Sequence, residues 1–157
     1  MLSRLSVKSD NQPDNYDPKD NLCVDASLWV SFLTPEANSE EVKKIFDLWF
    51  ESCSFFIAPS LLIFEMASAF HKKIKQNTLT QKDALHIFSD FYEHPILLFQ
   101  SEKLLNKTLE FAQKMQIPMP YDASYVALAS YKKVPFYTAD EDLYKRAKKI
   151  YPNCHLI

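Results

Sequence analysis

The sequence of 157 residues contains no glycine. Loops that cradle phosphate groups need backbone conformations that only glycine adopts at low energetic cost. The Walker loop, the dinucleotide-binding fingerprint and the nucleophile elbow each require glycine at fixed positions. We therefore regard P-loop ATPases, Rossmann oxidoreductases and α/β-hydrolases as poor candidates for this chain.

Cysteine is scarce, and long apolar runs are missing. Cys23, Cys53 and Cys154 lie far apart in the sequence, each in or beside an apolar run, and none forms a pair at metal-ligand spacing. This usage is typical of buried thiols in a reducing compartment. No apolar run approaches the roughly 18 residues that a membrane span requires, and no secretory signal pattern is present. We expect a cytoplasmic protein.

An excess of positive charge is also lacking, because the formal net charge is −2 and the isoelectric point is about 6.1. This balance excludes a strongly basic protein that holds nucleic acid by bulk charge, but it allows a local basic patch. Two interpretations of Lys72, Lys73, Lys75 and the pair 132–133 stay open. They are phosphate contacts for a nucleic acid, or they are solvated helix ends.

Residues 1–20 differ in composition from the rest of the chain, since they are rich in Asp, Asn and Pro and have few apolar side chains. We predict that they form a mobile N-terminal extension. The whole chain is 47% hydrophobic and 14% aromatic, which is sufficient for a packed core. We expect residues 21–157 to form one domain.

Short apolar runs alternate with amphipathic segments along residues 21–157. The predicted strands cover residues 22–24, 55–58, 96–99, 134–137 and 154–157. The predicted helices cover residues 26–33, 39–51, 61–76, 80–93, 101–115, a segment opened by Asp122, and 140–150. This alternation predicts a three-layer α/β/α fold with a central parallel sheet of four to five strands.

Three aspartates stand at predicted element boundaries. Asp25 and Asp140 follow predicted strands, and a parallel sheet brings the carboxyl ends of its strands to one edge, where ligands bind. Asp122 opens a predicted helix. Each of the three also has a purely structural interpretation, because Asp122 and Asp140 are suitable helix caps and Asp25 is suited to a turn with its own backbone.

Glu65 is harder to explain by local structure alone. In a helix its neighbours one turn away are Leu61, Leu62, Ser68 and Ala69, so it lies on or beside an apolar stripe. An ionised carboxylate that is buried without a partner is costly. Since no Arg or Lys lies within that stripe, we expect a metal ion or a water-filled crevice beside Glu65.

Several carboxylates at one edge of a sheet repel one another unless a cation is present. Ligand sets made only of oxygen suit Mg²⁺ or Mn²⁺. Such an ion activates a bound water and neutralises charge in the transition state of phosphoryl transfer. The pattern therefore indicates hydrolysis of a phosphodiester.

Three segments of the chain share a resemblance to one known family. The segment YDASYVALASYKKVPFYTADEDL at 121–143 resembles the C-terminal half of the PIN domain, the fold of the VapC-type toxin ribonucleases. VDAS at 24–27 resembles its first strand with the first aspartate, and FEMASAF at 64–70 resembles its glutamate-bearing helix. The resemblance extends over about residues 22–157.

The resemblance implies a Mg²⁺- or Mn²⁺-dependent endoribonuclease that acts on RNA, forms a homodimer and is inhibited by a cognate antitoxin protein. It implies four metal-binding catalytic acids, namely Asp25, Glu65, Asp122 and Asp140. It also implies that the hydroxyls of Ser27 and Thr138 support the metal or its water without binding the metal directly. Asp142 would contribute through a water molecule. Two features depart from the family pattern: the polar residues before Asp25, and the pair 132–133 where glycine is usual.

Two other functions remain open on the sequence. One is a PIN-like module that binds RNA or protein without catalysis. The other is a different Mg²⁺ hydrolase on a doubly wound sheet, such as a phosphomonoesterase. That class generally places a second aspartate two residues after the first, and VDASL at 24–28 lacks it.

Overall fold

The computed structural model describes residues 6–8, 20–36, 39–53 and 55–157. Within those ranges it contains six strands, namely β1 (Ser6–Lys8), β2 (Asn21–Val24), β3 (Phe55–Pro59), β4 (Ile96–Phe99), β5 (Phe136–Thr138) and β6 (Cys154–Leu156). It also contains seven helices, namely α1 (Ala26–Leu33), α2 (Ser39–Ser52), α3 (Leu62–Lys75), α4 (Gln81–Phe91), α5 (Glu102–Met115), α6 (Tyr121–Lys132) and α7 (Glu141–Ala147). The predicted α/β fold with a parallel central sheet is confirmed.

The strands form one sheet in the order β1-β4-β3-β2-β5-β6, and every pair of neighbours is parallel. In the register, Cys23 of β2 stands opposite Ile57 of β3 on one side and Phe136 of β5 on the other. The chain thus builds outward from β2 in both directions. At such a switch point the loops that follow neighbouring strands diverge and open a crevice at the carboxyl edge.

The five predicted strands are all present, and Ser6–Lys8 adds a sixth beside β4. That segment falls within the predicted mobile extension, of which residues 1–5 and 9–19 lie outside the described residues. The predicted strand at 134–137 begins later, at Phe136. The reason is that the Val134 N–H donates to the Ala129 carbonyl at the end of α6 (3.0 Å), which ties Val134 to the helix terminus.

Left-handed backbone conformations occur at residues with side chains, because glycine is absent. Among the described residues, Asn77, Gln116 and Lys133 have positive φ angles of 56°, 54° and 58°. Gln116 and Lys133 cap the C termini of α5 and α6 in the left-handed region, where helices commonly place glycine. Lys133 therefore adopts the conformation that the missing turn glycine would supply.

Aromatic side chains dominate the packing around α1 and α2. The Trp29 ring lies edge-on to Phe46, Phe56 and Phe91, with centroid separations of 4.9, 5.1 and 5.2 Å, and Phe32 stacks on Phe46 at 4.4 Å. Offset and edge-to-face pairs of this kind add to the free energy gained from apolar burial. We call these five residues the aromatic cluster.

Helix α6 packs against β2 and β3 and is buried along most of its length, from Ala123 to Ala129. Its small side chains bring the helix close to the sheet, so its first turn is held near the carboxyl edge. In the described part of the chain, no helix is long and apolar enough to cross a membrane.

Candidate functional site

Asp25 lies at the carboxyl end of the central strand β2 and is buried. Its Oδ1 accepts hydrogen bonds from the Ser27 hydroxyl (2.6 Å) and from the Leu28 N–H (3.2 Å), so it caps α1. Its Oδ2 accepts a hydrogen bond from the Thr138 hydroxyl at the end of β5 (2.5 Å). Both oxygens are therefore fixed by groups from two neighbouring strand ends.

The environment of Asp25 disfavours its charged form. Burial raises the pKa of its carboxyl from 3.8 to about 6, the hydrogen bonds from Ser27 and Thr138 oppose that rise, and the Asp122 charge adds to it. The interpretation of Asp25 as a residue that bonds its own local backbone is thus correct, since its side chain accepts from the Leu28 N–H, but it is incomplete. A cap alone would need no burial and no hydroxyl donor from a distant strand.

Ser27 and Thr138 also join the end of β2 to the start of α7. The Ser27 hydroxyl accepts a hydrogen bond from the Ala139 N–H (3.2 Å), and the Thr138 hydroxyl accepts one from the Asp140 N–H (3.0 Å). Each hydroxyl thus donates to Asp25 and accepts from the chain leading into α7. The two residues set the position of Asp25 relative to Asp140.

Glu65 lies half-buried in the first turn of α3. Burial raises the pKa of its carboxyl from 4.5 to about 7, a hydrogen bond from the Tyr125 hydroxyl opposes that rise, and the charges of Asp122 and Asp25 add to it. The sequence-based expectation that Glu65 faces a metal ion or water did not include this phenol. Tyr125 is buried in α6, and its hydroxyl donates to Glu65 Oε2.

Asp122 lies in the first turn of α6, where Pro120 occupies the cap position and no side chain caps the helix. The capping interpretation is therefore wrong for Asp122. The residue as a whole is exposed. Partial desolvation of its carboxyl group and the nearby Asp140 charge raise its pKa. The positive end of the α6 dipole lies beside it and favours the charged form.

Asp140 is exposed and caps α7, since its Oδ1 accepts a hydrogen bond from the Leu143 N–H (2.9 Å). Asp142 is exposed in the first turn of the same helix, and its described influence is on Lys145, which pairs with Glu141. The Asp140 charge adds to the rise in the pKa of Asp122 that burial causes, so Asp140 lies near that acid. The structure records no interaction between Asp142 and the acids of the site among the described residues.

Asp25, Glu65, Asp122 and Asp140 form what we call the acidic site. Within it the Asp122 charge acts on Asp25 and Glu65, and the Asp140 charge acts on Asp122. The described Lys–Glu ion pairs involve other acids, namely Glu36, Glu110 and Glu141. The negative charge of the acidic site is thus not balanced by any of these pairs.

The donor chemistry of the acidic site fits a hard divalent cation, because every candidate ligand is a carboxylate oxygen. Burial chiefly raises the pKa values of Asp25, Glu65 and Asp122, and their mutual repulsion, which a cation would relieve, adds to the rise. The four carboxylates are nevertheless not arranged as a complete set of metal ligands. Within the described residues, no three His, Cys, Asp or Glu side chains converge closely enough to hold one ion.

Comparison with known proteins adds a family match and several similar folds. The family model of the PIN domain matches residues 22–149 of this chain. No curated protein sequence matches it. The chain resembles the solved structure of VapC20 from Mycobacterium tuberculosis, a toxin that cleaves the sarcin–ricin loop. That likeness has a TM-score of 0.59 and 14% identity, and it covers 78% of this chain and 92% of that one.

Two further structures are similar. PAE2754 from Pyrobaculum aerophilum has a TM-score of 0.56 and 18% identity, over 80% of this chain and 78% of that one. FitAcB from Neisseria gonorrhoeae has a TM-score of 0.50 and 15% identity, over 81% of this chain and 93% of that one. At such identities these likenesses support the fold.

Proposed function

Because the chain belongs to the PIN domain family, we propose that it is a metal-dependent endoribonuclease that hydrolyses RNA phosphodiester bonds. The observation that carries this proposal is the acidic site. It collects four carboxylates at the carboxyl edge beside the switch point, and three of them have raised pKa values. An acidic cluster that repels itself is costly for folding, and a bound cation with a phosphate ligand would offset that cost.

Each residue of the acidic site then has a role. Mg²⁺ or Mn²⁺, when bound by Asp25, Glu65, Asp122 and Asp140, would supply Lewis-acid stabilisation and lower the pKa of a bound water. The Ser27 and Thr138 hydroxyls orient Asp25. The Tyr125 hydroxyl holds one oxygen of Glu65 and leaves the other available. For Asp142 we propose a contact with the metal through a water molecule, and this role rests on the family resemblance alone.

We further propose that the protein is the toxin of a type II toxin–antitoxin pair that acts in the cytoplasm. The support is family membership together with the fold shared with VapC20, which is a toxin. The partner would be a cognate antitoxin protein. A small reading frame that overlaps the start of this gene and encodes a protein that inhibits cleavage would support this assignment.

A homodimer is also part of the proposal. Leu105 and Leu109 lie one turn apart on α5 and are 59% and 52% exposed, so they form an exposed apolar stripe on that helix. Light scattering should report a dimer for the wild type and a monomer for Leu105→Lys/Leu109→Lys.

Cleavage of RNA by the purified protein tests the enzymatic proposal directly. We expect cleavage with Mn²⁺ or Mg²⁺, none in EDTA, and a loss of at least about 100-fold in Asp122→Asn. Asp122 is suited to this test because it is exposed and caps no helix. Asp47→Asn, an exposed change on α2, is the matched control and should cleave normally. Full activity in Asp122→Asn would refute the proposal.

The open arrangement of the acids favours one alternative, a PIN-like module that binds RNA or protein without catalysis. Isothermal titration with Mn²⁺ distinguishes the two functions. An enzyme should bind the ion, and Asp25→Asn should weaken that binding, whereas absence of any binding together with absence of cleavage would favour the module.

A further inference from the structure

Three lysine side chains converge on one aromatic ring away from the acidic site. The Nζ atoms of Lys103, Lys132 and Lys107 lie 4.6, 5.0 and 5.8 Å from the centroid of the Tyr131 ring. Lys103 and Lys107 stand one turn apart on α5, and Lys132 follows Tyr131 at the end of α6. We call these three lysines the lysine cluster.

The charges of Lys103 and Lys107 are only partly offset by the acids beside them. Glu102 and Glu110 share a surface depression with these two lysines. Glu110, however, is paired with Lys114, and Lys107 acts on it only as a weaker electrostatic neighbour. The electron-rich face of Tyr131 attracts ammonium groups, which helps to hold the like charges together. Three ammonium groups thus lie around one ring on a protein whose formal net charge is −2.

A groove lies next to residues of the lysine cluster and of the acidic site, although its lining includes no member of either group. The groove has a volume of about 260 Å³, and its lining includes Leu61, Phe99 and Tyr121. Tyr121 directly precedes Asp122, and the N–H of Glu65 donates to the carbonyl of Leu61. On the other side, the Lys132 Nζ lies 4.5 Å above the centroid of the Phe99 ring. The same apolar groove thus borders two acids and one lysine of the cluster.

We propose that Lys103, Lys107 and Lys132 bind backbone phosphates of the RNA strand whose scissile bond lies at the acidic site. The inference rests on the proposed function for the identity of the strand. An acidic site repels the polyanion that it must cleave, so attraction has to come from positive groups nearby. Lysines bind phosphates without regard to sequence, while the apolar groove offers a surface for bases along the strand.

Binding of a short fluorescein-labelled single-stranded RNA in EDTA tests the proposal, with fluorescence anisotropy recorded over a range of salt concentrations. Each phosphate contact on a single strand contributes about 0.7 to the slope of log affinity against log salt. Lys103→Gln/Lys107→Gln/Lys132→Gln should therefore lower that slope by about 2 and weaken binding about 100-fold near 0.1 M salt. The corresponding triple Arg variant should bind within a few-fold of the wild type.

The matched control is Lys43→Gln/Lys44→Gln/Lys82→Gln, which removes the same charge from exposed positions on α2 and α4. It should keep most of the affinity. Equal weakening in both Gln variants would show that only net charge matters and would overturn the proposal. Unchanged binding in the lysine-cluster variant would also overturn it. Thermal melts confirm that each variant is folded.

The assay contains no divalent metal and reports binding alone, so it separates the two proposals. A protein that fails to cleave RNA but loses RNA affinity in the lysine-cluster variant would refute the nuclease proposal and support this site. A protein that cleaves RNA while that variant keeps full affinity would do the reverse.

Discussion

Helix α1 borders two regions that differ in how their side chains are stabilised. At its start, Asp25 and Ser27 belong to the surroundings of the acidic site, and one turn further on Trp29 and Phe32 belong to the aromatic cluster. In the aromatic cluster each contact lowers the free energy of the folded state. In the acidic site burial, and in addition the approach of other carboxylates, raise the free energy of the charged forms and therefore the pKa values of Asp25 and Glu65.

This contrast separates what folds the protein from what the protein does. The aromatic cluster needs no ligand to explain it, because apolar burial and ring packing are favourable by themselves. The acidic site opposes folding at neutral pH. Sites that break the rules of stable packing while keeping a defined geometry are expected to be functional, with the cost offset elsewhere in the fold.

The largest effect on stability should come from the aromatic cluster. Trp29→Ala removes a fully buried side chain that contacts five other aromatic rings, and it should lower the free energy of unfolding by about 3–5 kcal/mol. Urea titration measures this change. Leu48→Ala, at a position that is 64% exposed, is the control and should shift it by less than about 0.5 kcal/mol. Similar losses in both variants would contradict the assigned core.

The acidic site should respond in the opposite way to loss of a side chain. Asp25→Asn should reduce cleavage at least about 100-fold, because Asp25 is a proposed metal ligand. In EDTA at neutral pH the same variant should be more stable than the wild type by about 2 kcal/mol, since it removes a buried charge. RNA cleavage and urea titration measure the two effects. If Asp25→Asn were less stable than the wild type, the contrast between the acidic site and the aromatic cluster would be contradicted.

The pH dependence of stability follows from the raised pKa values. Asp25 has a pKa of about 6 and Glu65 of about 7, against ordinary values of 3.8 and 4.5. From about pH 4 to pH 7 the folded protein therefore holds more protons at these groups than the unfolded chain does. Their contribution to stability is present at the acid end of this window and is lost as the pH rises through it.

The measurement compares the wild type with Asp25→Asn/Glu65→Gln by urea titration in EDTA across this window. The wild type should lose stability relative to the double variant as the pH rises, by about 2 kcal/mol from Asp25 and by less from the half-buried Glu65, whose charge the solvent screens. Mn²⁺ at about 100 times its dissociation constant should restore about 2.7 kcal/mol to the wild type at pH 7. A relative gain in stability toward pH 7 in EDTA would contradict the assigned burial of these acids.

The hydroxyl of Thr138 offers a smaller and more selective change. Thr138→Val keeps the shape of the side chain but removes the donor to Asp25 and the acceptor for the Asp140 N–H. We expect cleavage to fall about 10-fold, with a further rise in the pKa of Asp25 shown by a shift of the pH–rate profile to higher pH. Thr108→Val is the control, because the buried Thr108 hydroxyl donates to the Leu104 carbonyl of its own helix. That control should cost some stability and leave the pH–rate profile unchanged.

The sequence predicted the parts of the site that depend on strand order. Asp25 and Asp140 follow strands, and a parallel sheet brings strand ends together whatever the details of packing. The helix 26–33 was also predicted with its observed bounds, because its apolar spacing is a local signal.

Long-range contacts could not be predicted in the same way. The bond from Tyr125 to Glu65 joins residues 60 positions apart on α6 and α3, and no local pattern indicates that those helices meet there. A signal existed in that Tyr125 stands one turn after Asp122 on a helix of small apolar residues, where a buried hydroxyl needs an acceptor. Asp122 failed as a cap because α6 begins at Tyr121, which leaves the carboxylate inside the first turn.

The smallest expected effect lies outside both regions and measures the cost of a fold without glycine. Gln116 has φ 54° and ψ 44° at the end of α5, and the Arg146 guanidinium contacts its backbone carbonyl at 3.2 Å. Gln116→Gly keeps that carbonyl and removes the Cβ that is crowded in the left-handed region, so the variant should gain about 0.5–1 kcal/mol of stability. Gln116→Ala removes the rest of the side chain but keeps the Cβ, and should gain nothing. Cleavage should be unchanged in both variants, because the residue belongs to neither region. Equal stability of the Gly and Ala variants in urea titration would show that the left-handed backbone at this helix end carries no such cost.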